Sequence, residues 1–411
     1  MKIGRNIAFL LSMILFVTFF LSQLLSGELK THENELAQIR AAIELKGADW
    51  TAEENEISMM DPDARRALLG LIPERPQEDT PFAEGDPLAV FPSSLDWTDY
   101  NGYNWVTPVK DQLDCGSCVA FGSLGGLEAR LNIFMNDWMW DHDLSEQHLF
   151  SCGGGSCWWG WTVSSSMNYL KNNGVPEEDC FEYRSYDTPC GESCDDWRNH
   201  RMQIRDWGWV SNNQNAIKTF LQDGPITTCM NVYTDFFYYS SGVYEHTWGS
   251  YEGGHCITFV GWDDDENSWK CKNSWGWGWG ESGYFRIRYG DSGIGNSTAY
   301  VEVYPLIKIY CDKDTYTRGE DHVLGVKVVN PGSSYAAKVK IWIRFPNGTD
   351  HTVYQGVHTI PAGVSFSKDD FMAFTVPAQV AGGQYSWYGV ITNSAGTSTK
   401  SFDKCSFQIT P

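Results

Sequence analysis

Ten of the twelve cysteines fall between Cys115 and Cys271, and this clustering constrains the fold more than any other feature of the chain. So dense a set of thiols suits an oxidising compartment, where disulfides form and persist. The N-terminus agrees. Lys2 and Arg5 precede an uncharged run of 19 residues from Ile7 to Leu25, closed by the small residues Ser26 and Gly27. A charged start, an apolar run and a small-residue end predict a secretion signal over 1–27. At about 1.5 Å per residue the same run just reaches across a hydrocarbon core of roughly 30 Å, so a retained membrane anchor over 7–25 is the competing outcome. Either way the remainder is expected to be secreted or extracytoplasmic.

Composition excludes some classes. Hydrophobic residues at 42% and aromatics at 15% argue against disorder. A formal net charge of -22 disfavours a nucleic-acid partner, because the long-range field repels phosphate and no basic run interrupts it.

Texture divides the exported part in three. From Glu28 to Asp86 there are 15 Asp or Glu against 6 Lys or Arg, and no cysteine. Leu36, Ile39, Ile43 and Leu45 mark one stripe of a helix that Gly47 ends. Asp61 and Pro62 open a second short helix. A Pro- and acid-rich stretch then runs to about residue 90 as extended chain. Residues 91–305 begin with a helix after Cys118, on which Leu124, Leu127, Leu131 and Phe134 recur at helical spacing, and continue with strand-like runs near 256–262, 268–275 and 283–289. Helices first and strands second predict an α+β fold of two unlike lobes. Residues 306–411 read as short strands separated by Gly, Pro, Asn and Ser, as in an all-β sandwich, with Cys311 and Cys405 placed to staple its ends. The aromatic residues Trp342, Tyr354, Trp387 and Tyr388 suit the core of such a sandwich.

The chemistry concentrates in the central part. Cys118 ends CGSC and opens a helix, where unpaired N–H groups and the dipole favour thiolate. Three other readings fit these residues. CGSC suits a thiol oxidoreductase, Cys152 and Cys157 add a second pair for zinc, and bridged half-cystines need no function at all. His255, in GGHCITFVGW, and Asn273, in KNSWGWGWG, supply what a nucleophilic thiol requires: a base, and an amide to hold the base's ring and tautomer.

Three segments in this order, DQLDCGSCVAF, GGHCITFVGW and KNSWGWGWG, resemble the papain-like cysteine peptidases over residues 91–305. The resemblance implies a papain-like catalytic domain with a cleft between its lobes. It implies Cys118 as nucleophile, His255 as base and acid, Asn273 as the orienting amide, and Gln112 with the Cys118 N–H as the oxyanion hole. It places Trp275, Trp279, Gly160 and Trp159 at the substrate cleft, with Gly160 offering backbone groups to substrate and Trp159 narrowing the cleft. It pairs Cys115 with Cys157, and Cys152 with one of Cys180, Cys190 or Cys194, Cys190 foremost. Residues 28–90 become an inhibitory propeptide, and the partners become protein or peptide substrates and this propeptide. No metal and no cofactor is called for, and the ligand of the C-terminal part is unknown. With Cys118 free, eleven cysteines remain, so at least one more lacks a partner within the chain.

Texture around the histidine is nearest the cathepsin B branch. The paired histidines by which that branch becomes a dipeptidyl carboxypeptidase are absent between Cys180 and His200, so endopeptidase action is expected. The dipeptidyl carboxypeptidase, with His200 as the residue in its favour, is the alternative, and an inactive binding or adhesion protein on the same fold is another. Three departures stand out: Val119 where an aromatic residue usually follows the nucleophile, Trp159 where a glycine is usual, and Cys256 with Cys271, which either bridge to each other or stay as buried thiols.

Overall fold

The computed structural model describes residues 32–74, 80–140 and 142–410. The expected export segment 1–27 and part of the acidic Pro-rich stretch lie outside these residues. Among the described residues no helix is long and apolar enough to cross a membrane.

The fold is α+β. Helices Cys118–Met135, Glu146–Gly153 and Val163–Asn172 make one lobe. In the first, Leu124, Leu127 and Leu131 are buried, and so is the glycine-bearing face opposite them. A Cβ at Gly122 would lie 3.0 Å from the Ile257 carbonyl oxygen, so glycine lets the strand pack this close without displacing it. Thr227 and Thr258 both donate their hydroxyls to the Gly122 carbonyl at 3.1 Å, which ties the helix to two strands of the other lobe.

That second lobe is built on a ten-stranded sheet. Its centre is strand Tyr251–Asp263, antiparallel both to Ile226–Tyr233 and to Ser268–Lys272. Strand Tyr284–Arg288 extends one side, and Asn296–Val303 with Ile204–Val210 extend the other.

The segment before residue 90 has little core of its own, because it is short and acidic. It folds against the second lobe instead. Leu36 and Ile39 from helix 32–46, with Trp50, Ala52, Ile57 and Leu68, share one apolar cluster with Phe236, Phe237, Trp275 and Trp279. Leu45, expected on the helical stripe, is 91% exposed: two residues after Ile43, it falls on the side of the helix opposite the apolar face. Strand Trp50–Ala52 pairs with Tyr239–Tyr244 at one sheet edge, and Phe82–Ala83 pairs with Ile204–Val210 at the other. Asp61 caps helix Pro62–Ala67, accepting from the N–H groups of Asp63 and Ala64.

From Leu306 onward the chain forms two sheets. One joins Leu306–Cys311, Asp321–Val329 and Ser365–Thr375, and the other has five strands with Gly383–Asn393 at its centre. Trp387 lies in the cluster between them. Trp342 and Tyr388 instead form a separate stack, with ring centroids 5.1 Å apart.

Five disulfides occur among the described residues. The structure joins Cys115 to Cys157, Cys152 to Cys190, Cys180 to Cys194, and Cys311 to Cys405. The fifth corrects an expectation, because Cys256 is bonded to Cys229 and not to Cys271. Strand register is the reason. Cys229 lies directly opposite Cys256, whereas Cys271 lies opposite Phe259. Cys118 and Cys271 are left as buried free thiols.

Candidate active site

The site forms where the helical lobe meets the sheet. Cys118 is the first residue of its helix and fully buried. The backbone N–H groups of Cys256, Gly70, Val119 and Cys118 itself face the sulfur, yet burial dominates and pushes the thiol from 9.0 up to about 11.

His255 lies on the central strand, and Asn273 follows the end of the neighbouring one. His255 Nε2 and Asn273 Oδ1 are 2.8 Å apart. Asn273 Oδ1 also accepts the Ser274 N–H at 2.8 Å, which fixes the amide with its oxygen toward the ring. Nε2 therefore carries the proton and donates, leaving the Nδ1 lone pair free for a proton from elsewhere. Trp275 covers the pair, its ring centroid 4.7 Å from that of His255, and Trp279 packs edge-on behind Trp275 at 5.0 Å. Both indoles are buried, so they keep water from the hydrogen bond. Burial lowers His255 from 6.5 to about 4, against the opposing pull of the Asn273 bond and the Leu68 backbone.

Gln112 is oriented by the same stretch of chain. Ser274 Oγ donates to Gln112 Oε1 at 2.7 Å, and the Gln112 N–H donates to the Ser274 carbonyl at 2.9 Å. The side-chain Nε2 is thereby turned to donate. It donates to the Cys115 carbonyl at 2.7 Å and to the Leu68 carbonyl at 2.9 Å.

Leu68 belongs to the N-terminal segment, which runs on through the cleft. A Cβ at Gly70 would lie 1.8 Å from the Gly116 carbonyl oxygen, so only bare backbone passes this point. Trp161 N–H donates to the Gly70 carbonyl at 2.7 Å, and Ile72 N–H donates to the Trp161 carbonyl at 2.8 Å. Leu71 N–H donates to the Gly254 carbonyl at 3.1 Å. Leu71 also borders a pocket of about 500 Å³ with Trp209, Met230 and Tyr251. Glu74 then accepts the Ser164 N–H at 2.8 Å.

One cleft expectation changes. Gly160 does not offer its hydrogen-bonding groups to the chain in the cleft, because it exchanges both with Ser156. Its neighbour Trp161 presents them, while Gly160 supplies the bare backbone on which Gly70 rests. Trp159, at the same turn, is 75% exposed. Trp161, Ser274 and Leu68 were not singled out from sequence. Only Ser274 carried a signal, as the residue beside Asn273 in KNSWG.

A thiol at a helix N-terminus, an imidazole held by an amide, and an aimed side-chain donor together define a thiol-dependent hydrolase site. Comparison with known proteins specifies it further. Residues 91–302 match the family described as papain family cysteine protease. Cathepsin B-like CP3 of Giardia intestinalis is 36% identical over 44% of this chain and 64% of its own length. Cathepsin B-like CP1 of the same organism is 34% identical over 58% of this chain and 80% of its own. The solved structure of proCathepsin B S9 from Trypanosoma congolense superposes with a TM-score of 0.58 over 65% of this chain and 97% of its own, at 22% identity, a likeness of fold. The chain belongs to the papain family of cysteine proteases.

Proposed function

We propose that the chain is a cysteine endopeptidase made as a zymogen. Residues 28–90 act as its inhibitory propeptide, 91–305 as the catalytic domain and 306–411 as a β-sandwich accessory domain. The carrying observation is the Leu68 carbonyl on Gln112 Nε2, where a substrate carbonyl would sit.

In the uncovered enzyme Cys118 gives its proton to His255 and attacks the scissile carbonyl carbon. The carbonyl π pair moves to oxygen, which Gln112 Nε2 and the Cys118 N–H receive; one such donor contributes about 3 kcal/mol. His255 then protonates the departing amine, leaving a thioester on Cys118. Water, deprotonated by His255, releases the acid and restores the thiol. Asn273 keeps the imidazole in plane throughout.

His200 supports internal cleavage over the dipeptidyl carboxypeptidase reading. Its ring packs on Tyr388 and Phe402, with centroids at 5.7 and 4.9 Å, so it is committed to the contact with the C-terminal strands. Those strands are tied to the catalytic part by Lys404, which pairs with Glu177 at 3.0 Å and Asp179 at 2.6 Å. Export through 1–27 accords with the five disulfides.

The test is peptide cleavage by purified chain after removal of residues 28–90. Cys118→Ala should abolish it while leaving the fold intact. Cleavage undiminished in Cys118→Ala would sink the assignment, and release of C-terminal dipeptides alone would favour the carboxypeptidase.

A further inference from the structure

Two adjacent tryptophans stand in water beside the cleft. Trp158 and Trp159 are 81% and 75% exposed, whereas Trp161, two residues on, is 4% exposed. An indole carries some 150–250 Å² of largely apolar surface, so a loop free to move would fold two of them down. This loop is not free. Cys157 is bonded to Cys115. Its N–H donates to Asp187 Oδ1 at 2.6 Å, and Ser156 Oγ donates to Asp187 Oδ2 at 3.0 Å. Ser156 and Gly160 exchange both backbone hydrogen bonds, at 3.3 and 2.7 Å, closing the three residues between them into a clamped turn. The indoles are thus held outward by the disulfide, the carboxylate and the backbone pair.

The turn also runs directly into the backbone that grips an extended chain. Gly160 abuts Gly70, and Trp161 exchanges hydrogen bonds with Gly70 and Ile72. The described residues of the N-terminal segment nevertheless leave both tryptophans uncovered, and Ile72, beside Trp161, is itself 40% exposed. The grip is filled in the latent chain while the adjoining aromatic surface is not.

We propose that Trp158 and Trp159 form a rigid aromatic shelf that prolongs the cleft past Trp161 and selects substrates carrying an aromatic side chain there. The proposal rests on the proteolytic reading above. The occupant is the substrate's own acyl portion, because the shelf continues the strip of backbone on which an extended chain already lies. An aromatic side chain suits it because stacked rings gain beyond the area they bury. A carboxylate does not, since Asp187 supports the loop from behind and the chain carries a net charge of -22.

The experiment compares the trimmed enzyme with its Trp158→Ala/Trp159→Ala and Trp158→Phe/Trp159→Phe forms. Substrates share one cleaved core and differ upstream, ending before the shelf or placing Phe, Gly, Arg or Asp on it. An epoxide thiol reagent counts intact sites in each preparation. The Phe substrate should exceed the Gly substrate by about ten-fold in kcat/KM with the native shelf. That ratio should fall to within about two-fold in the double alanine form and recover in the double phenylalanine form. A native ratio near one, a native preference for Arg over Phe, or a ratio unchanged by the alanine pair overturns the shelf. Failure of the native enzyme to take the epoxide or cleave any substrate is a different result, and overturns the proteolytic reading itself.

Discussion

The Leu68 carbonyl and the Gln112 side-chain amide lie 2.9 Å apart, so the group aimed at a reacting carbonyl is already satisfied by the chain's own N-terminal segment. On the proposed zymogen reading, latency then depends on what holds that segment down. Arg65 is the clearest anchor: it is buried, pairs with Glu35 at 3.3 Å, and lies over the rings of Phe237 and Tyr238.

Arg65→Ala should loosen the cover. It removes the cation–π contacts and leaves the partly exposed Glu35 without its partner, a loss of about 2 kcal/mol, or roughly thirty-fold in the uncovered population. The check is the rate at which a bulky thiol reagent labels Cys118 in the intact chain. An unchanged rate would show that the segment is held by its apolar residues alone.

Gln112→Ala in the trimmed enzyme should lower kcat by about a hundred-fold with little change in KM, because its donor strengthens as charge develops on the oxygen. Ser274→Ala should cost less, roughly ten-fold, since Ser274 only orients the Gln112 amide. Steady-state kinetics on one substrate tests both, and a Ser274 loss appearing wholly in KM would contradict the orienting role.

Acid should favour uncovering. Burial holds His255 at about 4 instead of 6.5, and holds Cys118 at about 11 instead of 9.0. Releasing the segment relieves the part of that burial it supplies, so the uncovered imidazole takes up a proton more readily than the covered one, and the covered state loses stability as pH falls below 6.5 toward 4. Above pH 9 the uncovered thiol ionises first, so cover is lost there too as pH rises toward 11. Thiol labelling of the intact chain should therefore be slowest between pH 6.5 and 9, after correction with a small-thiol control. A flat profile would exclude control by these two groups.

Thiol counting tests the cysteine assignment. Without reductant the unfolded chain should show two reactive thiols, Cys118 and Cys271, and the trimmed native enzyme one. Replacing Cys229 and Cys256 together by serine should cost about 3.5 kcal/mol on denaturant unfolding, as expected for closing a loop of 27 residues. It should also lower kcat, because Cys256 follows His255 directly and its N–H faces the Cys118 sulfur.

The sites legible in the sequence were those whose partners sit in short, recognisable stretches. Cys118 was marked by the helix it opens, and Asn273 by its place at the end of a strand run. The capped helix at Asp61 and the buried Leu124, Leu127 and Leu131 followed from local periodicity. Less was legible where two distant segments had to be brought into register. Cys256 had a near candidate in Cys271, but direct opposition across the sheet chose Cys229.

By itself the sequence picked out the candidates for the chemistry, because a thiol at a helix start, an imidazole and an amide are properties of residue types and short spacings. Only the tertiary structure decided how they are used. It set the Leu68 carbonyl on Gln112, made Trp161 the residue whose backbone grips the chain in the cleft, committed His200 to the C-terminal strands, and left Trp158 and Trp159 in water. Each of these depends on surfaces from separate segments meeting at one place, and such a meeting is fixed by packing the whole chain at once.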